Sequence, residues 1–262
     1  TDGTLWLLPD EGKATPLQLM DRISANPGRG RIFNIAKQDD STLLIATYGA
    51  GLIIYDTTTG HTTRFSSHDE SPLFHSDYLF DILTDRSGGI WVASVATGVT
   101  WLGHRQPSIA RYVKPIPNKN NDRDNGISRI FKLRDGDIAV TAFDFRTLVL
   151  DTINGTLSQL PSPYGDIIAY TTDQHGHEWM ITKSGGLMSD GKQISKTTTI
   201  GGVLPTYIND MVADSSGRLW MATWKGGLLW TRPDTKGTQF HSLLTDNFNQ
   251  SRIYDIELTP DG

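Results

Sequence analysis

The chain contains no cysteine. Disulfides, thiolate metal sites and cysteine nucleophiles are therefore excluded. It has no long basic run, and its 24 Lys and Arg are outnumbered by 29 Asp and Glu, for a net charge of −5. A nucleic-acid or anionic-membrane partner is disfavoured on that ground. No run approaches the ~18 apolar residues needed to span a bilayer. No segment keeps a 3.6-residue apolar period over three turns, which excludes helical solenoids. Nothing reads as a signal peptide. The chain starts at Thr1-Asp2-Gly3 and stops at Asp261-Gly262, two points inside what reads as the same turn. We therefore expect a piece of a longer protein, with targeting and anchoring segments elsewhere.

What is present is ordinary in amount and periodic in arrangement. With 37% hydrophobic and 20% charged residues, the 262-residue chain can bury a sizeable core. One motif recurs: Gly3-Thr-Leu-Trp6, Gly88-Gly-Ile-Trp-Val-Ala-Ser94, Gly176-His-Glu-Trp-Met-Ile-Thr182 and Gly217-Arg-Leu-Trp-Met-Ala-Thr223. Ser41-Thr-Leu-Leu44 and Gly136-Asp-Ile-Ala139 are degenerate copies. The anchors Trp6, Leu44, Trp91, Ala139, Trp179 and Trp220 mark six units of roughly forty-three residues.

Each unit follows one grammar. An Ile/Tyr/Phe/Val run, such as Tyr207-Ile-Asn-Asp-Met-Val-Ala213, precedes an Asp/Gly turn, such as Asp214-Ser-Ser-Gly217. The Trp run follows and ends in a small residue, and a glycine loop leads to a third run such as Leu52-Ile-Ile-Tyr-Asp56. A weaker fourth run, such as Thr62-Thr-Arg-Phe65, closes the unit. Short β-prone runs between Asp/Gly turns are antiparallel hairpins. Four per unit predict a single all-β domain over 1–262, a β-propeller of four-stranded antiparallel blades. Six blades follow if Leu5–Leu8 pairs with the last first-strand, Arg252–Leu258; otherwise the chain is part of a seven-bladed ring. The tryptophans are expected to fill the wedges between blades, and the turn glycines to supply positive φ.

The unit Asp85-Arg-Ser-Gly-Gly-Ile-Trp-Val-Ala-Ser94 with Gly98-Val99, and its copy Asp214-Ser-Ser-Gly-Arg-Leu-Trp-Met-Ala-Thr223 with Gly227-Leu228, resemble the two-component regulator propeller repeat. Thr47-Tyr-Gly-Ala-Gly-Leu-Ile-Ile-Tyr-Asp56 matches its second half, and the resemblance covers essentially the whole chain. Around Ala139 the Trp is lost and Phe143-Asp-Phe-Arg146 replaces the glycine loop. The repeat is typical of the periplasmic sensor region of hybrid two-component histidine kinases in Bacteroides-type bacteria. The resemblance implies a non-catalytic, extracytoplasmic glycan sensor that needs no cofactor. It also implies an adjacent propeller or β-sandwich domain in the parent chain, and a histidine kinase beyond it.

In a propeller the loops entering first strands and those leaving second strands share one face and converge on the axis. Tyr48, Phe143, Arg146, Lys183, Trp224 and Lys225 sit in the second class. Arg129, Tyr207 and Asn209 sit in the first, with Arg31, Asn34, Asp77, Tyr78, Tyr170, Asp210, Arg252 and Tyr254. Aromatic faces stack on sugar rings, and amides and guanidinium groups bond hydroxyls or carboxylates. An oligosaccharide ligand is the expectation. The same face could instead dock another propeller or a homodimer partner, and a pure interaction scaffold is a second expectation. A third is a lyase similar to streptogramin lyase, for which His75 beside Asp77 is the one histidine near the funnel.

Three other motifs carry less. His175-Gly-His177-Glu178 falls in a turn away from the funnel and fits no strong zinc spacing. Asp122-Arg-Asp-Asn-Gly126 lacks the distal acid of a calcium loop. Asn154-Gly-Thr156 and Asn249-Gln-Ser251 are sequons, and no Gly-x-Ser-x-Gly elbow occurs.

Overall fold

The computed structural model describes residues 5–7, 15–17, 30–70, 72–95, 97–103, 109–112, 126–160, 166–184, 186–196, 200, 202–233, 238–243 and 252–258. The Asp122–Asn125 run and the Asn249 sequon lie outside them.

After a two-stranded hairpin of β1 (Leu5–Leu7) and β2 (Thr15–Leu17), the chain makes five four-stranded antiparallel sheets. The first holds β3 (Arg31–Lys37), β4 (Thr42–Tyr48), β5 (Leu52–Asp56) and β6 (Thr62–Phe65). The second holds β7 (Leu79–Thr84), β8 (Ile90–Ser94), β9 (Gly98–Leu102) and β10 (Ile109–Tyr112). The third holds β11 (Ile127–Lys132), β12 (Ile138–Ala142), β13 (Thr147–Asp151) and β14 (Thr156–Gln159). The fourth holds β15 (Ile167–Thr172), β16 (Glu178–Thr182), β17 (Gly186–Ser189) and β18 (Lys192–Lys196). The fifth holds β19 (Ile208–Ala213), β20 (Leu219–Thr223), β21 (Leu228–Thr231) and β22 (Phe240–Ser242).

Among the described residues the fold is a β-propeller of five such blades, and the expected count of six is not met. Leu5–Leu7 pairs with β2, not with the segment 252–258, and Leu5 packs on the blade-one cluster of Ile32, Ile45, Ile53 and Tyr55. Residues 252–258 form no strand. They nevertheless lie between blades five and one: Ile253 N donates to Thr223 O at 2.9 Å, and Ile35 N donates to Asp255 Oδ2 at 2.6 Å.

Second strands are buried almost throughout, as in β8 and β12, because a blade faces a neighbour on each side. Fourth strands such as β14 are mostly exposed. The tryptophans are less uniform than expected. Trp91 is 5% exposed, Trp179 and Trp220 are half-buried, and Trp6 is 38% exposed. A second reason for them is the turn. In blade two, Asp85 Oδ1 accepts Ser87 N, Ser87 Oγ and Gly89 N, while Oδ2 accepts Trp91 Nε1 at 3.0 Å and Trp101 Nε1 at 3.1 Å. Asp173 with Trp179 and Asp214 with Trp220 repeat this. Positive φ at Gly88, Gly176 and Gly217 lets the chain wrap around the carboxylate.

The small residue ending each second strand also has a bond to make. Thr47, Ser94, Thr182 and Thr223 send their hydroxyls to the carbonyls of Gly51, Gly98, Gly186 and Gly227. Blade three has Ala142 instead, and its loop closes through Ala142 N to Arg146 O with Phe145 at φ 68°.

Candidate functional site

Every first strand carries a bulge at one register. The shifts fall at Ile32/Asn34, Leu79/Asp81, Ile127/Arg129, Ile167/Ala169 and Ile208/Asp210. A first strand has no partner on its axial edge, so its N–H groups need acceptors from elsewhere. In blades one, two and five the residue after the bulge supplies one to the next element. Asn34 Oδ1 accepts Ile82 N at 2.9 Å, Asp81 Oδ2 accepts Ile130 N at 2.5 Å, and Asp210 Oδ2 accepts Ile256 N at 3.2 Å. Asp255 does the same for Ile35. In blade three this position is Arg129, which cannot accept. It donates through Nε to Asn209 O and through Nη2 to Ile208 O, both at 2.8 Å, skipping blade four.

These groups line an axial cavity of about 680 Å³ that runs down the first strands and 254–258. Burial pushes the Asp81 carboxyl up to about 8, with Asp210 adding to it and the bond from Ile130 N and the Arg129 charge opposing. Burial also raises Asp210, against bonds from Asp255 and from Met211 and Ile256 N–H. Asp255 is raised well above its ordinary value by burial and then by the Asp210 and Asp81 charges. Glu257 is solvent-accessible, and the surrounding protein and then the Asp210 charge raise it to about 7, with Lys37 opposing. Among the described residues no three His, Asp or Glu side chains are arranged to hold a metal ion.

The bulge residues themselves build the mouth. Phe33 meets Phe80 at 4.7 Å, Tyr254 at 4.5 Å and Tyr48 at 5.4 Å between ring centroids. Phe80 continues to Phe143 at 4.9 Å, Tyr48 to Tyr78 at 4.8 Å, and Tyr254 to Trp224 at 5.3 Å. The outermost rings, Tyr48, Tyr78 and Phe143, are 41%, 41% and 38% exposed. Gly126 is needed for this: a Cβ there would overlap the Phe143 ring and Val95 O.

Of the residues expected at the site, Tyr48, Phe143 and Trp224 are thus joined in one aromatic array. Lys183 lies over Phe145 at 5.2 Å and Lys225 over Tyr207 at 5.1 Å, at the same rim. Arg146 pairs with Asp144 beside them. Arg129 is deeper, tied to carbonyls, and Asn209 holds Ile253 O at 2.7 Å. Tyr170 lines the cavity, but its hydroxyl donates to Glu178 and accepts from Arg134 N at the far end of its blade. His75 is exposed and outside the cavity lining. Asp77 is buried, accepting Ser66 Oγ and Ser67 N. His177 joins Asp190, which Arg134 also pairs, on the opposite face. Phe33, Phe80, Asp81, Asp255 and Glu257 were missed. Aligning first strands finds most of them, in Ile32-Phe-Asn-Ile35, Leu79-Phe-Asp-Ile82 and Ile253-Tyr-Asp-Ile256.

Residues 202–225 match the family model described as "Two component regulator propeller". Comparison with curated proteins gives no match. Among solved structures, the extracellular domains of the hybrid two component systems BT3049 and BT4673 from B. thetaiotaomicron are similar. Their TM-scores are 0.64 and 0.65 at 17% and 16% identity, over 96% and 99% of this chain. The chain spans only about a third of their length, 35% and 36%. A virginiamycin B lyase from Staphylococcus aureus, solved as a catalytically inactive histidine-to-alanine variant with quinupristin, has a TM-score of 0.61 at 14% identity, over 97% of this chain and 82% of its own. These likenesses establish the propeller fold. The match at 202–225 identifies one copy of the two component regulator propeller repeat in the chain, and it contains the Asp214–Trp220 turn described above.

Proposed function

We propose that the chain is a non-catalytic, extracytoplasmic sensing module that binds an oligosaccharide at the aromatic mouth and relays binding to a neighbouring domain. The observation that carries this is the unbroken array Tyr78–Tyr48–Phe33–Tyr254–Trp224, with a branch to Phe143, laid across one end of the axis. Flat rings partly open to water, held rigidly by a propeller, suit the apolar faces of sugar rings. The extracytoplasmic part leans on the two B. thetaiotaomicron domains, which are extracellular in name and share the fold. Relay requires that the ligand bind one signalling arrangement more tightly than the other. A pure docking scaffold would suit a dry, apolar face; this rim carries Lys183, Lys225 and Arg252 instead.

Calorimetry against a panel of oligosaccharides tests the reading. Tyr48→Ala and Phe143→Ala should each weaken the bound ligand about tenfold, some 1.4 kcal/mol. Unchanged affinity in both variants would remove the mouth as the site. A lyase reading has the fold likeness in its favour, but no histidine lines the cavity among the described residues. Quinupristin incubated with the chain and magnesium is expected to remain intact.

A further inference from the structure

We infer that the mouth selects acidic oligosaccharides, bearing carboxylate or sulfate groups that settle on Lys183, Lys225 and Arg252. This rests on the oligosaccharide reading above and narrows it.

The first ground is where the charges lie. The chain is acidic overall, but its acids have a structural task at the other end of the blades. Asp85, Asp173 and Asp214 cap first-to-second-strand turns, and Asp56 and Asp151 cap third-to-fourth-strand turns. The second-to-third-strand turns, which ring the mouth, carry Arg146, Lys183 and Lys225 and one carboxylate, Asp144, already paired with Arg146. Arg31 and Arg252 add exposed cations where the chain enters β3 and the segment 252–258. Among the described residues, the remaining acids of this face are out of the way. Asp77 is buried in its serine web, Asp166 caps Thr147 N, and Asp69 and Glu70 lie on the outer connection before β7.

The second ground is the pairing of cation with ring. Arg252 lies over Trp224 at 4.9 Å, as Lys183 does over Phe145 and Lys225 over Tyr207. None of these three cations faces a carboxylate among the described residues. Among the described residues, the rings of Tyr48, Tyr78 and Phe143 have no cation over their faces and are the more exposed. The mouth therefore offers two kinds of group. Bare rings are available for stacking. Beside them are cations whose partners, among the described residues, are ring faces and, for Lys183, the Asp144 carbonyl at 3.5 Å. A guanidinium or ammonium in that state gains more from a carboxylate or sulfate than from a neutral hydroxyl.

The third ground is what lies beneath. Asp81, Asp210, Asp255 and Glu257 line the channel, with Arg129 and Lys37 as the cations nearest them. An anion gains nothing by descending among them. The ligand therefore lies across the mouth, spanning bare rings and cations.

Calorimetry of the chain with trigalacturonate, a chondroitin sulfate tetrasaccharide and neutral maltotriose and cellotriose separates the outcomes. At about 50 mM salt an acidic probe should bind at least tenfold tighter than either neutral one. Raising salt to about 300 mM should weaken the acidic probe several-fold, since it shortens the screening length. Lys225→Gln and Arg252→Gln should each cost the acidic probe about five- to tenfold and leave melting temperature within a degree or two. Neutral probes that bind as well as acidic ones, or an affinity untouched by both substitutions, would overturn the charge assignment and leave the oligosaccharide reading standing. No binding by any probe would defeat both.

Discussion

Removing Asp85 tests why the repeat pairs an aspartate with a tryptophan. In Asp85→Ala five donors lose one acceptor: Ser87 N, Ser87 Oγ, Gly89 N, Trp91 Nε1 and Trp101 Nε1. Ser87 is exposed, so water can replace its two bonds. Trp91 is 5% exposed, so water does not readily replace the bond its indole N–H gives to Asp85. A buried donor left unpaired costs about 1–3 kcal/mol. Adding a smaller loss at half-buried Trp101 and buried Gly89 gives about 3 kcal/mol, or roughly 6–12 °C in melting temperature for a chain of this size. Asn is no remedy, because its amide can accept on one side only. Asp135→Ala is the internal control: Asp135 accepts Asp137 N at 3.0 Å, but its blade has Ala139 in the tryptophan column. It should cost under a third as much. Thermal melts followed by circular dichroism decide the matter. Equal losses in the two variants would refute the claim that indole bonds, not the turn alone, hold the repeat. Acid titration gives a second reading. Burial pushes Asp85 up, but bonds from Ser87, Trp101, Trp91 and Gly89 outweigh it and hold the carboxyl at about 2 against an ordinary 3.8. A depressed folded value contributes stability above the ordinary pKa and loses it as pH falls through the folded one. Wild type should therefore lose stability between about pH 4 and pH 2, and Asp85→Ala should lose less over that window.

The channel carboxyls act with the opposite sign. Asp81, raised to about 8, stabilises the fold fully below its ordinary value and loses this as pH rises toward 8. Asp81→Asn should narrow the drop in melting temperature between pH 5 and pH 8.5 while keeping the bond to Ile130 N, since Asn34 occupies the same position in blade one; an unchanged drop would count against it. Gly126→Ala should displace Phe143, destabilise by about 1–3 kcal/mol, and weaken ligand at the mouth, read by melting and calorimetry on one sample. Thr223→Val removes the hydroxyl that takes Gly226 N at 2.7 Å and gives to Gly227 O at 2.8 Å in a fully buried place. It should cost about 1–3 kcal/mol in denaturant unfolding, and a neutral result would mean that the loop closes without it.

The blades were legible because their signals are local. An aspartate, a glycine and a tryptophan within seven residues form a turn whose bonds close on themselves, as Asp214, Gly217 and Trp220 do. The blade count was not legible for a complementary reason. Whether Leu5–Leu7 pairs with 252–258 or with its own neighbour is a contact between chain ends, and three residues of strand carry no preference for either. They took the nearer partner, Thr15–Leu17. Trp6 lies in the two-stranded sheet of β1 and β2 rather than in a four-stranded blade, and it is 38% exposed where Trp91 is 5%. The motif specifies the turn, and the neighbour decides the burial.

The site divides along the same line. Tyr48, Phe143, Trp224, Lys183 and Lys225 follow second strands at a fixed offset from the motif, so topology alone brings them to one rim. The first strands hid the rest. Their aromatics read as ordinary hydrophobic alternation, and only the bulge, seen at Ile32/Asn34 and again in each blade, turns Phe33 and Phe80 toward the mouth and Asn34 and Asp81 toward the next strand. That single extra residue gives one position two duties. In blades one, two and five the neighbour's edge N–H takes its acceptor from Asn34, Asp81 or Asp210, and the preceding side chain is then left facing the axis. A ligand-binding surface can vary at Phe33, Phe80 and Tyr254 without disturbing the bonds made by Asn34, Asp81 and Asp255, because those bonds belong to the residue next door.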